Sequence, residues 1–122
     1  MQTSDKVKVL KIYISSTDKL KHTSLYEALV FAARRQNMAG ATVLKGVMGF
    51  GGSSVIHSAR FWETNDKLPI VVEIVDVESK IFSYFESIKP YLENMRYGCM
   101  VTMEDAEVFL YKTGTKKSIF SI

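Results

Sequence analysis

Gly49-Phe50-Gly51-Gly52, followed by Ser53 and Ser54, is the stretch of this chain best suited to hold a ligand. Glycines can take positive φ, and successive backbone N–H groups can then converge into a nest that cradles a phosphate. The serine hydroxyls would add donors. His57 and Arg60 follow closely, and Arg60-Phe61-Trp62 forms a basic–aromatic cluster that suits packing under the loop, an adenine ring or a partner protein alike. The other reading of the glycines is a bulged strand end, because no helix opens behind them as the dinucleotide fingerprint requires. These residues lie in a connection of 20 residues, Met48 to Lys67, with neither a helix nor a strand period. A compact domain carries so long an irregular connection when it binds something or works as a mobile arm.

Signals of catalysis are missing. There is no Ser-His-Asp order with an elbow motif, no Gly-x-x-x-x-Gly-Lys-Ser/Thr loop and no His-x-x-x-His pair. His22 and His57 stand apart, and Cys99 reads as a small buried hydrophobe. The sequence therefore predicts a binding protein and not an enzyme, with no required cofactor and no metal. Sixteen Lys+Arg against 13 Asp+Glu give +3. So mild and dispersed an excess reads first as solvated strand edges and ends, next as contacts to a small anionic ligand, and disfavours nucleic acid. RNA binding would also need aromatics on the middle strands, where only Tyr13 is offered. One cysteine, no apolar run of membrane-spanning length and no apolar core near the N-terminus predict a cytoplasmic protein.

The elements that must position the glycines follow from periodicity. Val7–Ile14 is a β-branched strand. Ser24 opens a helix with Glu27 in capping-box spacing, and Leu25, Ala28, Leu29 and Ala32 share a face. Asn37 and Gly40 stop it. Ala41–Val47 is a second strand, and Leu68-Pro69 starts a third through Val75. Asp76 can cap a second helix carrying Ile81, Phe82, Phe85, Ile88 and Leu92, which Pro90 should kink or shorten. Gly98 turns the chain into Cys99–Met103, Glu104-Asp105 interrupts it, and Glu107–Lys112 makes a final strand before a tail over 115–122. This order predicts one domain over 1–122 of α+β class, a ferredoxin-like βαββαβ fold with an added C-terminal strand and both helices on one face of an antiparallel sheet. Tyr13, Val43, Val71 and Val101 would give the other face apolar character, which calls for a partner and predicts self-association.

Several stretches together resemble the PII signalling superfamily, and more closely its small PII-like branch of unknown function in bacteria and archaea. They are Leu10-Lys-Ile-Tyr-Ile14 with Leu25-Tyr-Glu-Ala-Leu29, Gly40-Ala-Thr-Val43 leading to Gly46-Val-Met-Gly-Phe-Gly51, and His57-Ser58. Leu68–Asp76 and Thr102-x-Glu-Asp-Ala-Glu-Val108 complete the match, which runs from about residue 7 to residue 114. The resemblance implies a homotrimer with sheets packed around the threefold axis. It implies adenine nucleotides, AMP, ADP or ATP, bound between subunits, and a long loop over about 49–66 that changes order and docks on a membrane transporter, channel, enzyme or regulatory protein. By position it assigns Thr42, Gly49, Phe50, Gly51 and Gly98 to the ligand site. Gly52, Ser53, His57, Arg60 and Lys112 complete the expected set. Two departures stand out: Cys99 replaces a lysine after the glycine, and Leu110 and Lys112 stand where two arginines are usual. The loss of positive charge favours a mono- or diphosphate over a triphosphate. Two alternatives share the topology. One is a structural or metal-responsive trimer of the CutA type. The other is an acylphosphatase-like enzyme, whose glycine loop follows the first strand, whereas these glycines follow the second.

Overall fold

Strand-forming runs and two amphipathic segments alternate along the chain, and the computed structural model shows how they close on one another. It describes residues 1, 5–52, 56–58 and 67–115. The elements are β1 Val7–Ser15, β2 Lys19–Leu20, β3 Thr23–Ser24, α1 Leu25–Arg35, β4 Gly40–Lys45, β5 Met48–Gly49, β6 His57–Ser58, β7 Pro69–Val77, α2 Glu78–Asn94 and β8 Met100–Ala106. Four strands form an antiparallel sheet in the order β4-β7-β1-β8, while β2-β3 and β5-β6 are separate two-stranded pairs. This is the α+β, ferredoxin-like arrangement expected.

Alternation along β1 and β7 sends Leu10, Ile12, Ile14, Ile70, Val72 and Ile74 to one face, where α1 and α2 cover them with Leu25, Leu29, Ala33, Ile81, Tyr84, Ile88 and Leu92. Tyr84 is fully buried, and its hydroxyl donates to the Leu29 carbonyl at 2.7 Å, tying the two helices. Its burial raises the phenol far above its usual range, so it stays a neutral donor.

Helix ends follow backbone geometry more than side-chain capping. Ser24 is the N-cap of α1 but makes no side-chain cap bond, so the capping box is not closed. At the other end Asn37 takes φ 57°. The N–H of Met38 donates to Ala33 O and that of Asn37 to Arg34 O, the paired bonds of a Schellman stop. Asp76 ends up in β7, not as a cap: Val77 is the N-cap of α2. The Asp76 carboxylate, almost fully buried, accepts the N–H groups of Ala39 (2.8 Å) and Val77 (2.6 Å) and pairs with Lys80 at 3.2 Å. Pro90 does not shorten α2, which continues to Asn94. Buried Ile88 and Leu92 on either side of the proline hold that segment against the core and outweigh the proline cost of ~3 kcal/mol.

Three expectations are corrected. Glu104-Asp105 does not interrupt the last strand, because β8 runs through both in register with Val9 and Lys8. Residues 107–115 carry no strand, so the C-terminal strand expected over Glu107–Lys112 is not formed within this chain. Val43 and Val101 do not belong to the open face. Val43 stands opposite Val72 and Val101 opposite Ile12, and directly opposed residues share a face, here the helix-covered one. The open face instead carries Leu44, Val71, Tyr13 and Met100 in one cross-strand row, then Thr42, Glu73, Lys11 and Thr102 in the next.

Candidate functional site

The long connection leaves and re-enters the sheet at the row where β4 ends and β7 begins. On the outgoing side, Gly46 N–H donates to the Pro69 carbonyl at 2.8 Å. Two rungs, Met48↔Ser58 and Gly49↔His57, then pair β5 with β6. The region read as wholly irregular thus holds a short antiparallel ladder at its root. On the return side, Ser16 N–H donates to Leu68 O and Leu68 N–H donates to Ser16 Oγ, both at 2.9 Å.

Gly46 and Gly49 carry a packing constraint that the sequence does not show. Among the described glycines only Gly114 has a positive φ, so the αL geometry of a nest is not formed at Gly49, Gly51 or Gly52. What Gly46 and Gly49 permit is close approach of Pro69. A Cβ on Gly46 would lie 2.8 Å from Pro69 Cγ, and one on Gly49 would lie 3.3 Å away. The Gly46→Ala substitution is therefore expected to destabilise the protein by ~1–3 kcal/mol through overpacking against a stiff ring, whereas Gly51→Ala, with open space around it, leaves the urea midpoint unchanged.

The expected site residues divide among three places. Thr42 lies on the open face of β4, opposite Glu73. Gly49 pairs with His57, and Phe50, Gly51 and Gly52 continue beyond that ladder, exposed. Ser53 and Arg60, with Phe61 and Trp62, lie outside the described residues. Gly98 precedes β8. The register Leu44–Val71–Tyr13–Met100 puts it at the same end of the sheet as the loop root but on the opposite edge. Three strand spacings, ~14 Å, separate those edges. Lys112 follows β8, whose last residue Ala106 stands opposite Val7 at the far end, and it is exposed. One chain therefore does not gather the whole set.

The two cavities described lie elsewhere. The larger, about 730 Å³, is at the far end of the sheet, among Asn37, Met38, Asp76, Lys80 and Tyr111. The second, about 320 Å³, lies between the end of α1 and the start of β4. Neither is lined by an expected site residue.

Sequence reasoning missed Asp18. It is buried at the junction of β1, α1 and the returning connection, where its Oδ2 accepts Ser15 N–H at 3.0 Å and its carbonyl accepts Leu25 N–H at 2.8 Å. Burial pushes its carboxyl above the usual range, against the Ser15 N–H and the Lys67 charge, which pull it down. A raised folded-state pKa means that this group favours the fold most below its unfolded pKa and loses that contribution as pH rises through the folded one. Ser15-Ser16-Thr17-Asp18, a run of side chains that bond nearby backbone, was the available signal. Cys99 is exposed and not buried as expected, since it precedes the first paired residue of β8. Partial desolvation and the Asp18 charge raise its thiol pKa, which disfavours the thiolate. Among the described residues no three His, Cys, Asp or Glu side chains group as metal ligands, and no helix is long and apolar enough to cross a membrane.

Comparison with known proteins places this geometry. Residues 7–108 match the DUF190 family, described as "Uncharacterized ACR, COG1993". A UPF0166 protein of Aquifex aeolicus is 32% identical over 103 residues, covering 84% of this chain and 93% of the relative. The UPF0166 protein MJ1524 of Methanocaldococcus jannaschii is 29% identical over 108 residues, covering 88% and 96%. Among solved structures, the nitrogen regulatory PII-like protein CPII of Thiomonas intermedia K12, bound to ADP, AMP and bicarbonate, superposes with a TM-score of 0.63 at 18% identity over 84% of this chain and 88% of that one. Its apo form gives 0.56 at 17% identity, over 84% and 91%. The chain belongs to the DUF190 family and has the fold of the PII-like proteins.

Proposed function

We propose that this protein is a small-molecule sensor of PII-like type. It binds an adenine nucleotide where copies of the chain meet and signals through the connection over 49–66. The observation that carries this reading is the split of the expected site between two edges of one sheet. The loop root lies on the β4 side and the Gly98 turn on the β8 side, at the same end. Two edges ~14 Å apart in one chain form a single cleft when neighbouring copies set them side by side. The fold shared with CPII, a protein solved with ADP, AMP and bicarbonate, supports the choice of ligand.

In this reading Gly49, Phe50, Gly51, Gly52 and Ser53 offer backbone and hydroxyl donors to phosphate, with Thr42, His57 and Arg60 alongside. Gly98 of a neighbouring copy closes the other wall. The shortage of cations, with Cys99 beside Gly98 and Leu110 in the C-terminal segment, suits AMP or ADP better than ATP. Ligand binding changes the order of residues 49–66, and that segment docks on a partner protein, a transporter, channel or regulator, without any catalytic step. The assembly is a homotrimer.

Calorimetric titration with AMP, ADP, ATP and cyclic nucleotides tests the reading. Saturable heat with ADP or AMP, larger than with ATP, is the expected result. Absence of heat with all four would remove the adenine-nucleotide proposal.

A further inference from the structure

The buried carboxylate of Asp18 has no part in the function proposed above, yet it stands between the two halves of that site. It follows β1, which lies between β7 and β8 in the sheet. On the β7 side is the foot of the long connection, Lys67 and Leu68, and on the β8 side is the Gly98-Cys99 turn. Asp18 closes the turn Ser15–Asp18 with two bonds. Its Oδ2 accepts the Ser15 N–H at 3.0 Å, and its own N–H donates to the Ser15 carbonyl at 3.1 Å. Ser16 lies inside that turn and holds Leu68 through the paired bonds of 2.9 Å. Leu68 leads into Pro69, whose carbonyl accepts the Gly46 N–H at 2.8 Å. The turn closed by Asp18 is thus the seat on which both legs of the connection rest.

Each neighbouring element meets this residue. Burial disfavours the charge of its carboxyl most, while the Ser15 N–H on β1 and Lys67 on the returning leg favour it. The turn before β8 presents the Cys99 thiol, whose pKa rises through partial desolvation and through the Asp18 charge. α1 meets Asp18 through a neutral group, the Leu25 N–H, and Lys19, next in the chain, is exposed. Opening the seat would hydrate the carboxyl and return it to its ordinary value of ~3.9. The protonated form therefore favours the closed seat. Closure is strongest below the ordinary carboxylate range and weakens as pH rises through the raised value.

We propose that Asp18 is a positioning residue for the candidate site: it seats the foot of the connection through Ser16 and Leu68, sets its charge against Cys99 of the opposite half, and loosens the seat when it loses its proton. It acts through these neighbours and needs no contact with ligand. Where it bears on the nucleotide it rests on the function proposed above, and it adds pH as a second input to the same connection.

Amide hydrogen exchange of the full chain without ligand, followed by NMR from about pH 4 to about pH 8, reads the seat. Protection factors, which divide out the intrinsic pH dependence of exchange, are compared at Ser16, Leu68 and Val72, the last in the buried core. Ser16 and Leu68 are expected to open locally, with protection below that of Val72. Their protection should fall about tenfold for each pH unit between the ordinary and the raised carboxyl value, with the midpoint that the Asp18 carboxyl carbon resonance reports. Asp18→Asn, which keeps an acceptor oxygen and cannot ionise, should abolish the step. Alkylation of Cys99 by iodoacetamide should reach half its maximal rate at lower pH in that variant, since a charge that holds the thiol up is gone. Protection at Ser16 and Leu68 that is flat with pH, or a step that survives Asp18→Asn, would overturn the proposal. Protection equal to that of Val72 would reduce Asp18 to a structural role and overturn it as well. An unchanged Cys99 profile would overturn the coupling to the opposite half. The wild-type measurements decide even where Asp18→Asn fails to fold. The exchange experiment contains no nucleotide, so its failure strikes this inference alone, whereas absence of heat in the calorimetric titration strikes the nucleotide reading alone.

Discussion

Replacing Tyr84 with alanine is expected to cost ~3–5 kcal/mol of unfolding free energy, the range for removing a large buried aromatic. Tyr84 is fully buried among the residues of both helices and the central strands, and its hydroxyl bonds to the Leu29 carbonyl. The substitution therefore opens a cavity at the contact of α1, α2 and the sheet. Tyr84→Phe keeps the ring and removes only the hydrogen bond, so its cost should be ~0.5–1.5 kcal/mol. Urea denaturation of the three proteins measures both steps. An alanine variant within 1 kcal/mol of the phenylalanine variant, on the order of the cost of one hydrogen bond, would mean that the ring is not the packing centre described here.

Asp76→Ala is expected to be nearly as damaging, ~2–4 kcal/mol, for a different reason. Its carboxylate is the acceptor for two backbone N–H groups, one from the α1–β4 connection and one at the start of α2, and it faces Lys80. Removing it strands both donors, and a buried unsatisfied donor costs ~1–3 kcal/mol. Asp76→Asn retains an acceptor oxygen and loses the charge, so it should recover about half of the loss. Equal stability of the alanine and asparagine variants would show that the acceptor geometry is unimportant.

Periodicity made the scaffold readable. Val7–Ile14, Leu25 and Leu29 of the first helix and Ile70–Val75 lie where the apolar pattern put them, because each buries one side against the same core, while the helix face centres on Ala33 and not on Ala28. Face assignment was harder at the outer strands. Ala41-Thr-Val-Leu44 has apolar residues at adjacent positions, so only the register with β7 decides that Val43 points inward and Leu44 outward. The final strand differs for a related reason: β-propensity in Glu107–Lys112 is a preference for a pleated, half-buried surface, and the segment pairs with no strand among the described residues. At the candidate site, the sequence points to the glycines for their conformational freedom, whereas what the fold shows for Gly46 and Gly49 is room for the ring of Pro69, 23 residues beyond Gly46. No local pattern reports a contact of that range. Asp18 escapes a reading of the sequence because a buried carboxylate is recognised by its partners, and here the partner is a backbone group, the N–H of Ser15.

The two rungs between Met48–Gly49 and His57–Ser58 act as a clasp on the neck of the arm, and their small number has an energetic consequence. Each backbone hydrogen bond is worth a net ~0.5–1.5 kcal/mol, so the whole clasp holds by only a few. Moving a two-state element from ~10% to ~90% occupancy takes ~2.6 kcal/mol of preferential affinity, about 80-fold. In the function proposed above, a single metabolite contact at the neck would be commensurate with fastening or releasing it, which a longer ladder would not allow.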